Sequence, residues 1–126
     1  MKTVNTNNAP AAVGPYSQAI VHNKLVYTSG QIPIDPATGA IETYTIEGQT
    51  KQIIRNLSAV LKEAGSSLDN VIKTTCYLKN IADFVAFNEV YGKYFTSKPA
   101  RSCVEVSNLP KGALAEIEVI AAVKTV

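Results

Sequence analysis

The sequence predicts an α+β domain in which two helices pack on one face of a mixed β-sheet. Two observations lead to this fold class: apolar residues recur at helical spacing in two segments, and β-branched and aromatic runs flank those segments. The predicted order is a β-hairpin, a helix, a strand, a second helix and two further strands. A chain of 126 residues without internal repeats or linkers is expected to form a single domain, residues 1–126.

A β-hairpin is predicted near the start of the chain. Ser17–Val21 and Leu25–Ser29 are β-prone runs, and the polar residues 22–24 between them suit a turn. Proline and glycine interrupt the next stretch, residues 30–44, so we expect a loop of successive turns there.

Two helices are predicted from their caps and their apolar periodicity. Thr45 suits the N-cap of a long helix that ends near Ala64, and Asn80 with Asp83 resembles an N-cap pair for a second helix over residues 81–95. The apolar faces consist of Ile46, Ile53, Leu57, Val60, Leu61 and Ala64 in the first helix, and of Phe84, Phe87, Tyr91 and Phe95 in the second.

Three further strands are predicted over Val71–Leu78, Arg101–Ser107 and Leu114 to about Val123. Between residues 117 and 123 the last strand is apolar at both alternating positions except Glu118, a pattern typical of a strand buried on both faces. Two helices can cover only one face of such a sheet. We therefore expect a second copy of the chain to cover the other face, which makes the protein an oligomer.

The composition argues against several classes of function. The net charge is +2 with Lys and Arg scattered along the chain, so no basic stripe for nucleic acid is expected. One histidine, His22, and two distant cysteines, Cys76 and Cys103, offer no metal-binding constellation. No long apolar span or leader-like segment is present, so we expect a reduced, cytoplasmic protein without a membrane segment.

The segment from Lys98 to Val106 carries the most informative candidates. On a strand, Arg101, Cys103 and Glu105 share one face. An arginine beside small residues can bind a carboxylate with two parallel hydrogen bonds, although a structural ion pair or a solvated position explains the same spacing. Cys103 has no evident base partner, because His22 is predicted to lie in a turn, so a packed thiol is the expected role.

Two glutamates in the last predicted strand are candidates for acid–base chemistry. Glu116 and Glu118 share a face, and either could orient or deprotonate a water, lie at a sheet edge or pair across strands. Their spacing does not choose between them. The turn segments Gly14–Gln18 and Thr28–Gln31 offer backbone donors for a pocket, and Asn88 either caps a pocket wall or faces water.

Taken in order, these segments resemble one family. The matching segments are Ala9–Ala12, Gly14–Gln18, Ser29–Pro33, Phe87–Tyr91, Pro99–Val106, Leu109–Lys111 and Glu116–Glu118. Together they resemble the Rid (YjgF-type) family in its deaminase subgroup and cover nearly the whole chain. The Arg-Ser-Cys-Val-Glu-Val block, residues 101–106, is the specific part of the match.

The resemblance implies a chorismate-mutase-like fold, a homotrimer and three clefts between subunits. It also implies hydrolysis of 2-aminoacrylate and 2-aminocrotonate, through their imine tautomers, to 2-keto acids and ammonia, with neither a cofactor nor a metal. By the same resemblance, Arg101 holds the substrate carboxylate, Glu116 handles the catalytic water, and the backbone of Cys103 lies nearby. The implied pocket-lining residues are Tyr16, Ser29, Gly30 and Asn88.

Other functions are compatible with such a trimer. It could bind 2-keto acids and act as a regulator without catalysis. A ribonuclease or a translation inhibitor fits less well, because one histidine and scattered cations supply neither an acid–base pair nor a basic track for RNA.

Overall fold

The computed structural model describes residues 1–124, which form a six-stranded sheet, a two-stranded sheet and two α-helices. The strands are β1 (Lys2–Val4), β2 (Ala19–His22), β3 (Leu25–Thr28), β4 (Ile34–Asp35), β5 (Ala40–Ile41), β6 (Val71–Leu78), β7 (Ala100–Glu105) and β8 (Ala115–Ala122). The α-helices are α1 (Ile46–Glu63) and α2 (Phe84–Tyr94), and short 3-10 turns cover Leu68–Asn70, Ile81–Asp83 and Pro110–Gly112.

The large sheet is mixed, with the strand order β1-β2-β3-β8-β6-β7. Neighbouring strands are antiparallel except β6 and β7, which are parallel and are joined by the crossover helix α2. The helices α1 and α2 pack against each other on the same face of this sheet. The predicted fold class, a mixed sheet with two helices on one face, is confirmed.

Helix α1 begins and ends as its sequence predicts. The side chain of Thr45 accepts a hydrogen bond from the Gly48 N–H at 3.0 Å, which satisfies one unpaired donor of the first turn. After the helix, Gly65 adopts a φ of 81°, the left-handed conformation that commonly ends helices. All six predicted apolar residues of this helix are buried, together with the unpredicted Ile54, Gln49, Thr50 and Asn56.

The second helix differs from the prediction at its start. Residues 81–83 form a 3-10 turn, and the α-helix begins at Phe84. Asn80 does cap the segment, since its Oδ1 accepts from the Ala82 N–H at 3.0 Å, whereas the Asp83 side chain makes no capping hydrogen bond. Residues Phe87, Tyr91 and Phe95 are buried as predicted, and Phe84 is half-buried.

Two predictions for the N-terminal half, the position of His22 and the loop at residues 30–44, were wrong. His22 is the last residue of β2, so the turn contains only Asn23 and Lys24, whose φ angles of 51° and 66° match a tight primed hairpin turn. Residues 30–44, predicted to be a loop, contain the β4–β5 hairpin and a bridge between Gln31 and Ile117. Strand β1 was not predicted, because its three residues are too few to show an alternating pattern.

Strand β8 has one covered face and one open face in the single chain. Ala115, Ile117, Val119 and Ala121 are buried on the helix side, whereas the alternate residues from Glu116 to Ala122 are only half-buried. Neighbours such as Ile20, Leu25, Tyr27, Tyr77 and Val104 also lie partly or largely exposed on this open face. That a second copy of the chain covers it stays a prediction.

The Thr45 cap gives a first test of the fold. Thr45→Ala should lower the free energy of unfolding by about 1 kcal/mol, because the Gly48 N–H loses its partner at an otherwise exposed position. Thr45→Ser keeps the hydroxyl and should lose much less. Urea unfolding measures both variants, and equal losses would show that the hydrogen bond is not what stabilises the helix start.

Candidate active site

Arg101 projects from β7 toward α2. Its Nη1 donates to Asn88 Oδ1 at 2.7 Å, and its guanidinium carbon lies 4.8 Å from the centre of the Tyr91 ring and 5.6 Å from that of Phe84. Among residues 1–124 this is the guanidinium's one hydrogen bond, and the electron-rich ring faces hold the cation in place. Most of its N–H donors therefore remain available to a ligand.

Arg101 lies in a cleft of about 460 Å³, which we call the arginine cleft. Tyr91 forms part of its floor, held by a 2.7 Å hydrogen bond between its hydroxyl and that of the buried Thr74, and its ring stacks on Phe95. The cleft is lined by Asn88, Tyr91, Gly92, Phe95, Thr96, Lys98, Pro99 and Arg101.

Glu116 lies on the open face of β8, directly against the backbone of Gly30. A Cβ atom at residue 30 would overlap the Glu116 carboxylate and lie 2.8 Å from its Cδ, so a larger residue there would displace the carboxylate from this position. Two backbone hydrogen bonds between Gln31 and Ile117, of 2.9 and 3.2 Å, hold the two segments together. Gly30 therefore shapes the position of the carboxylate.

Glu116 and Glu118, which their spacing in the sequence does not distinguish, have different surroundings in the structure. Glu118 accepts a 2.7 Å hydrogen bond from the Tyr77 hydroxyl, which, with burial, raises the pKa of Tyr77 to about 12. No hydrogen bond reaches the Glu116 carboxylate from the described part of the chain. Burial, and secondarily the charge of Glu118, raises the pKa of Glu116 above its ordinary value. Glu116 thus has the more available oxygens, and its burial favours its protonated form.

A second, larger hollow of about 810 Å³ surrounds Glu116, and we call it the glutamate cavity. Ser29 lies in its wall, with its Oγ donating to the Ser17 carbonyl at 2.5 Å, and Tyr16 lies at its rim, 52% exposed. The cavity is lined by Pro10, Ala11, Val13, Tyr16, Gln18, Thr28, Ser29, Gly30, Gln31, Ile32, Ile34, Pro36, Gly39, Pro110, Lys111, Glu116 and Glu118.

The predicted site residues form two groups that a single chain does not bring together. Tyr16, Ser29, Gly30 and Glu116 share the glutamate cavity, whereas Asn88 and Arg101 share the arginine cleft. Arg101 is paired in register with the buried Thr74 and points to the helix side, and Glu116 alternates with buried neighbours and points to the open side. The two charged groups therefore lie on opposite faces of one sheet.

Cys103 shares the helix-side face with Arg101, as predicted. Its thiol is free and half-buried, and burial raises its pKa despite the nearby Arg101 charge. The Cys103 backbone points away from β6. The Val106 N–H donates to the Leu78 carbonyl of β6, and successive residues of a strand point their N–H and C=O groups to alternate sides. The N–H and C=O of Cys103 therefore point to the open edge of the sheet. The arrangement offers a ligand this backbone edge beside a protonated thiol.

Sequence reasoning missed the aromatic support of Arg101. Phe84, Asn88 and Tyr91 are spaced four and three residues apart, so they lie on one helix face, and the polar residue between two aromatics was the available signal. The side chains of Tyr77 and Gln18 were missed as well. The strand register brings Tyr77 to Glu118, and the fold brings Gln18 to the backbone of residues 6–10, and neither contact shows in a local sequence pattern.

The residues described hold no cluster of three or more His, Cys, Asp or Glu side chains that could bind a metal ion. No helix in residues 1–124 has the length and apolar character needed to cross a membrane.

Comparisons with known proteins identify the family to which the chain belongs. The sequence profile of the Endoribonuclease L-PSP family matches residues 6–123. A candidate regulator named AldR from Lactococcus lactis is 56% identical over 99% of this chain and 100% of its own. A Salmonella typhimurium 2-iminobutanoate/2-iminopropanoate deaminase is 45% identical over 95% of this chain and 96% of its own.

Solved structures agree with the sequence matches. The crystal structure of YyfA from Yersinia pestis, a protein of the conserved Rid family, is 52% identical and superposes with a TM-score of 0.94 over 97% of this chain and 98% of that one. The fold is thus the chorismate-mutase-like α+β fold of these proteins. The chain belongs to the Rid (YjgF, L-PSP) family.

The raised pKa of Glu116 gives a test that needs no substrate. In the folded protein the pKa of Glu116 lies above its ordinary value of 4.5. The stability that the protonated carboxyl contributes is therefore present below pH 4.5 and is lost as the pH rises through the raised pKa. Thermal unfolding at about pH 4 and about pH 7 should therefore show Glu116→Gln gaining Tm relative to the parent as the pH rises. Glu89→Gln, on the exposed surface of α2, controls for the lost charge, and an identical pH dependence in both variants would contradict the assignment.

Proposed function

We propose that the protein is an imine deaminase, which hydrolyses small 2-imino acids to 2-keto acids and ammonia. The observation that carries the proposal is Arg101, a half-buried cation held by Asn88 and two aromatic rings with most of its donors unused. A planar fork of this kind matches a carboxylate, the group that every 2-imino acid carries. The relative from Salmonella typhimurium, named as such a deaminase, supports the same activity.

Glu116 is the group that we propose handles the water. The water oxygen bonds to the imine carbon, the C=N electron pair moves to the protonated nitrogen, and Glu116 takes a proton from the water. Glu116 then returns a proton to the nitrogen, and the C–N bond breaks as ammonia leaves with its electron pair. The hydroxyl oxygen forms the C=O bond of the keto group, and its proton passes to the Glu116 carboxylate and from there to solvent. Burial raises the pKa of Glu116, which makes its carboxylate a stronger base toward the water while its acid form can still return a proton.

So sparse a site is sufficient for this chemistry. A protonated imine is already a good electrophile, so the protein needs only to bind the carboxylate and to position one water. Cys103 enters this mechanism through its outward-facing backbone, because its thiol has a raised pKa and is protonated at neutral pH. Tyr16, Ser29, Gly30 and Asn88 are proposed to line the substrate pocket.

We further propose that the complete site forms between two copies of the chain in a homotrimer. Arg101 and Glu116 point to opposite faces of one sheet, so one chain cannot place both on a small imino acid. The half-exposed apolar residues of the open face, such as Ile120 and Tyr27, supply a surface for that contact. The imino acid and the partner copies are the only partners we propose, and the location is cytoplasmic.

A non-catalytic regulator is the second candidate, favoured by one observation. The Lactococcus lactis relative of this chain is named as a candidate regulator. The arginine cleft would serve such a role equally well, by binding a 2-keto acid. The absence of turnover, with ligand binding intact, would favour this candidate over the enzyme.

The first functional test compares single variants on an imine made in solution by a pyridoxal-phosphate dehydratase. Arg101→Ala should lose about ten- to a few-hundred-fold in kcat/KM, the size expected for a charge-assisted hydrogen bond. Arg101→Lys should also be impaired, because it keeps the charge without the fork. Glu116→Gln should lower kcat more than it weakens keto-acid binding.

The control for Glu116→Gln is Glu118→Gln, which changes a neighbour on the same strand face and should have less effect. Cys103→Ala should keep most of the activity. Keto-acid binding and imine hydrolysis are measured separately, after each variant is shown to keep its oligomeric mass. Hydrolysis by Arg101→Ala at the parent rate would disprove the carboxylate assignment, and an inactive Glu118→Gln beside an active Glu116→Gln would reverse the choice of glutamate.

The second functional test combines two impaired variants in one trimer. Light scattering should give the mass of about three chains for each, and co-expression of Arg101→Ala with Glu116→Gln should produce mixed trimers. If each site takes Arg101 from one chain and Glu116 from the next, about one site in four is complete in a random mixture. Activity should rise to about a quarter of the parent level.

A mixture of the separately purified trimers, without subunit exchange, is the control and should show only the average of the two variants' residual activities. A monomeric mass would disprove the trimer. Mixed trimers with no more activity than this control would show that Arg101 and Glu116 do not act on one ligand across a subunit contact.

A further inference from the structure

Gln18, which immediately precedes β2, is a buried amide with an unusual set of partners. Its side chain is 2% exposed. Its Oε1 accepts from the Thr6 N–H at 2.7 Å, and its Nε2 donates to the carbonyls of Thr6 at 3.0 Å and Pro10 at 2.8 Å. Both ends of the amide are therefore used, on two points of the same N-terminal segment.

That segment has no strand to pair with in the part of the chain that the structure describes. Between β1 and β2 the backbone is irregular from residue 5 to residue 18, and Pro10, Ala11 and Val13 form one wall of the glutamate cavity. The Gln18 amide gives Thr6 the donor and the acceptor that a neighbouring strand would otherwise supply. One side chain thus supplies the hydrogen bonds that tie two points of this wall to the rest of the domain.

The wall in turn holds Tyr16. The Val13 N–H donates a long hydrogen bond of 3.4 Å to the Tyr16 hydroxyl, and the Tyr16 ring packs 3.7 Å from where a Cβ on Gly14 would lie. Gly14 has a φ of 120°, which glycine adopts readily and other residues rarely do. The direction of the Tyr16 hydroxyl therefore depends on the position of the segment that Gln18 fixes.

The main chain of Gln18 is tied to the opposite side of the cavity. Its carbonyl accepts from the Ser29 N–H at 2.9 Å, next to Gly30 and the Glu116 carboxylate. One residue thus joins the irregular wall, through its side chain, to the Ser29 side of the cavity, through its backbone.

We propose that Gln18 is a positioning residue, which sets the separation of these two walls and so the fit of the substrate. The inference rests on the proposed function and deepens it. Both ends of the Gln18 amide are used by Thr6 and Pro10, so Gln18 should act through the wall, and its loss should weaken the binding of substrate and transition state alike. The expected signature is a higher KM with a nearly unchanged kcat.

The test variant is Gln18→Glu, which keeps the size and the acceptor for Thr6 but removes both donors and places an oxygen against two carbonyls. KM for the imine should rise about tenfold, because binding must then order a wall that two hydrogen bonds no longer hold. Hydrogen exchange of residues 6–13 should become faster. Gln18→Met has a similar length and no charge. Its KM and the hydrogen exchange of residues 6–13 are measured as well, and they test the proposal if Gln18→Glu does not fold.

The matched control is Gln49→Glu, in α1. Gln49 is also a buried amide, 3% exposed, with its Nε2 donating to the Thr43 carbonyl at 3.1 Å and its Oε1 accepting from the Leu114 N–H at 2.7 Å. Neither backbone partner lines the glutamate cavity. Gln49→Glu should lower the unfolding temperature about as much as Gln18→Glu does. It should leave KM and the hydrogen exchange of residues 6–13 near the parent values.

The outcomes separate this inference from the proposed function. If the parent hydrolyses the imine and the Gln18 variants show parent KM, or if Gln49→Glu raises KM equally, Gln18 is not a positioning residue. If the parent itself hydrolyses nothing, the proposed function fails. Affinity for 2-oxobutanoate then replaces KM as the readout, with the same expected tenfold weakening and the same control.

Discussion

Burial of only one face of the six-stranded sheet is the constraint on which the other features depend. Both helices pack on the same side, so the fully buried residues of β8 and β6 alternate with residues that the chain leaves half-covered. The same alternation sends Arg101 toward α2 and Glu116 away from it. The apolar surface of the open face and the separation of the two charges therefore have one cause.

The charged and polar groups of the two hollows are stabilised in different ways. Arg101 is held by aromatic faces and one amide oxygen, which leaves its charge intact and its donors available. Glu116 has no such partner among the described residues, and its burial favours the neutral acid. Glu118 is instead engaged by Tyr77. Two carboxylates two residues apart thus differ in what they can do, because their neighbours across the sheet differ.

The sequence was most informative where local physics decides the structure. The cap at Thr45, the apolar face of α1 and the alternation in β7 all depend on neighbours within a few residues, and all were predicted. The β4–β5 hairpin and β1 were missed, because strands of two or three residues show no period. The grouping of Gly30 with Glu116, and of Asn88 with Arg101, depends on strand order and crossover, which local patterns do not contain. Only the resemblance to a family had suggested that these residues act together.

Strand β8 comes last in the sequence yet lies in the interior of the sheet, between β3 and β6. Without it, the strands separate into an N-terminal group, β1–β2–β3, and the β6–α2–β7 crossover unit, each with a bare edge. The pairing of β3 with β8 joins residues 25–27 to residues 120–122, across most of the chain, so folding must close a long loop before these hydrogen bonds form. Until then, two apolar edges are open to incorrect pairing. The strand that carries Glu116 is therefore also the one that joins the two parts of the sheet.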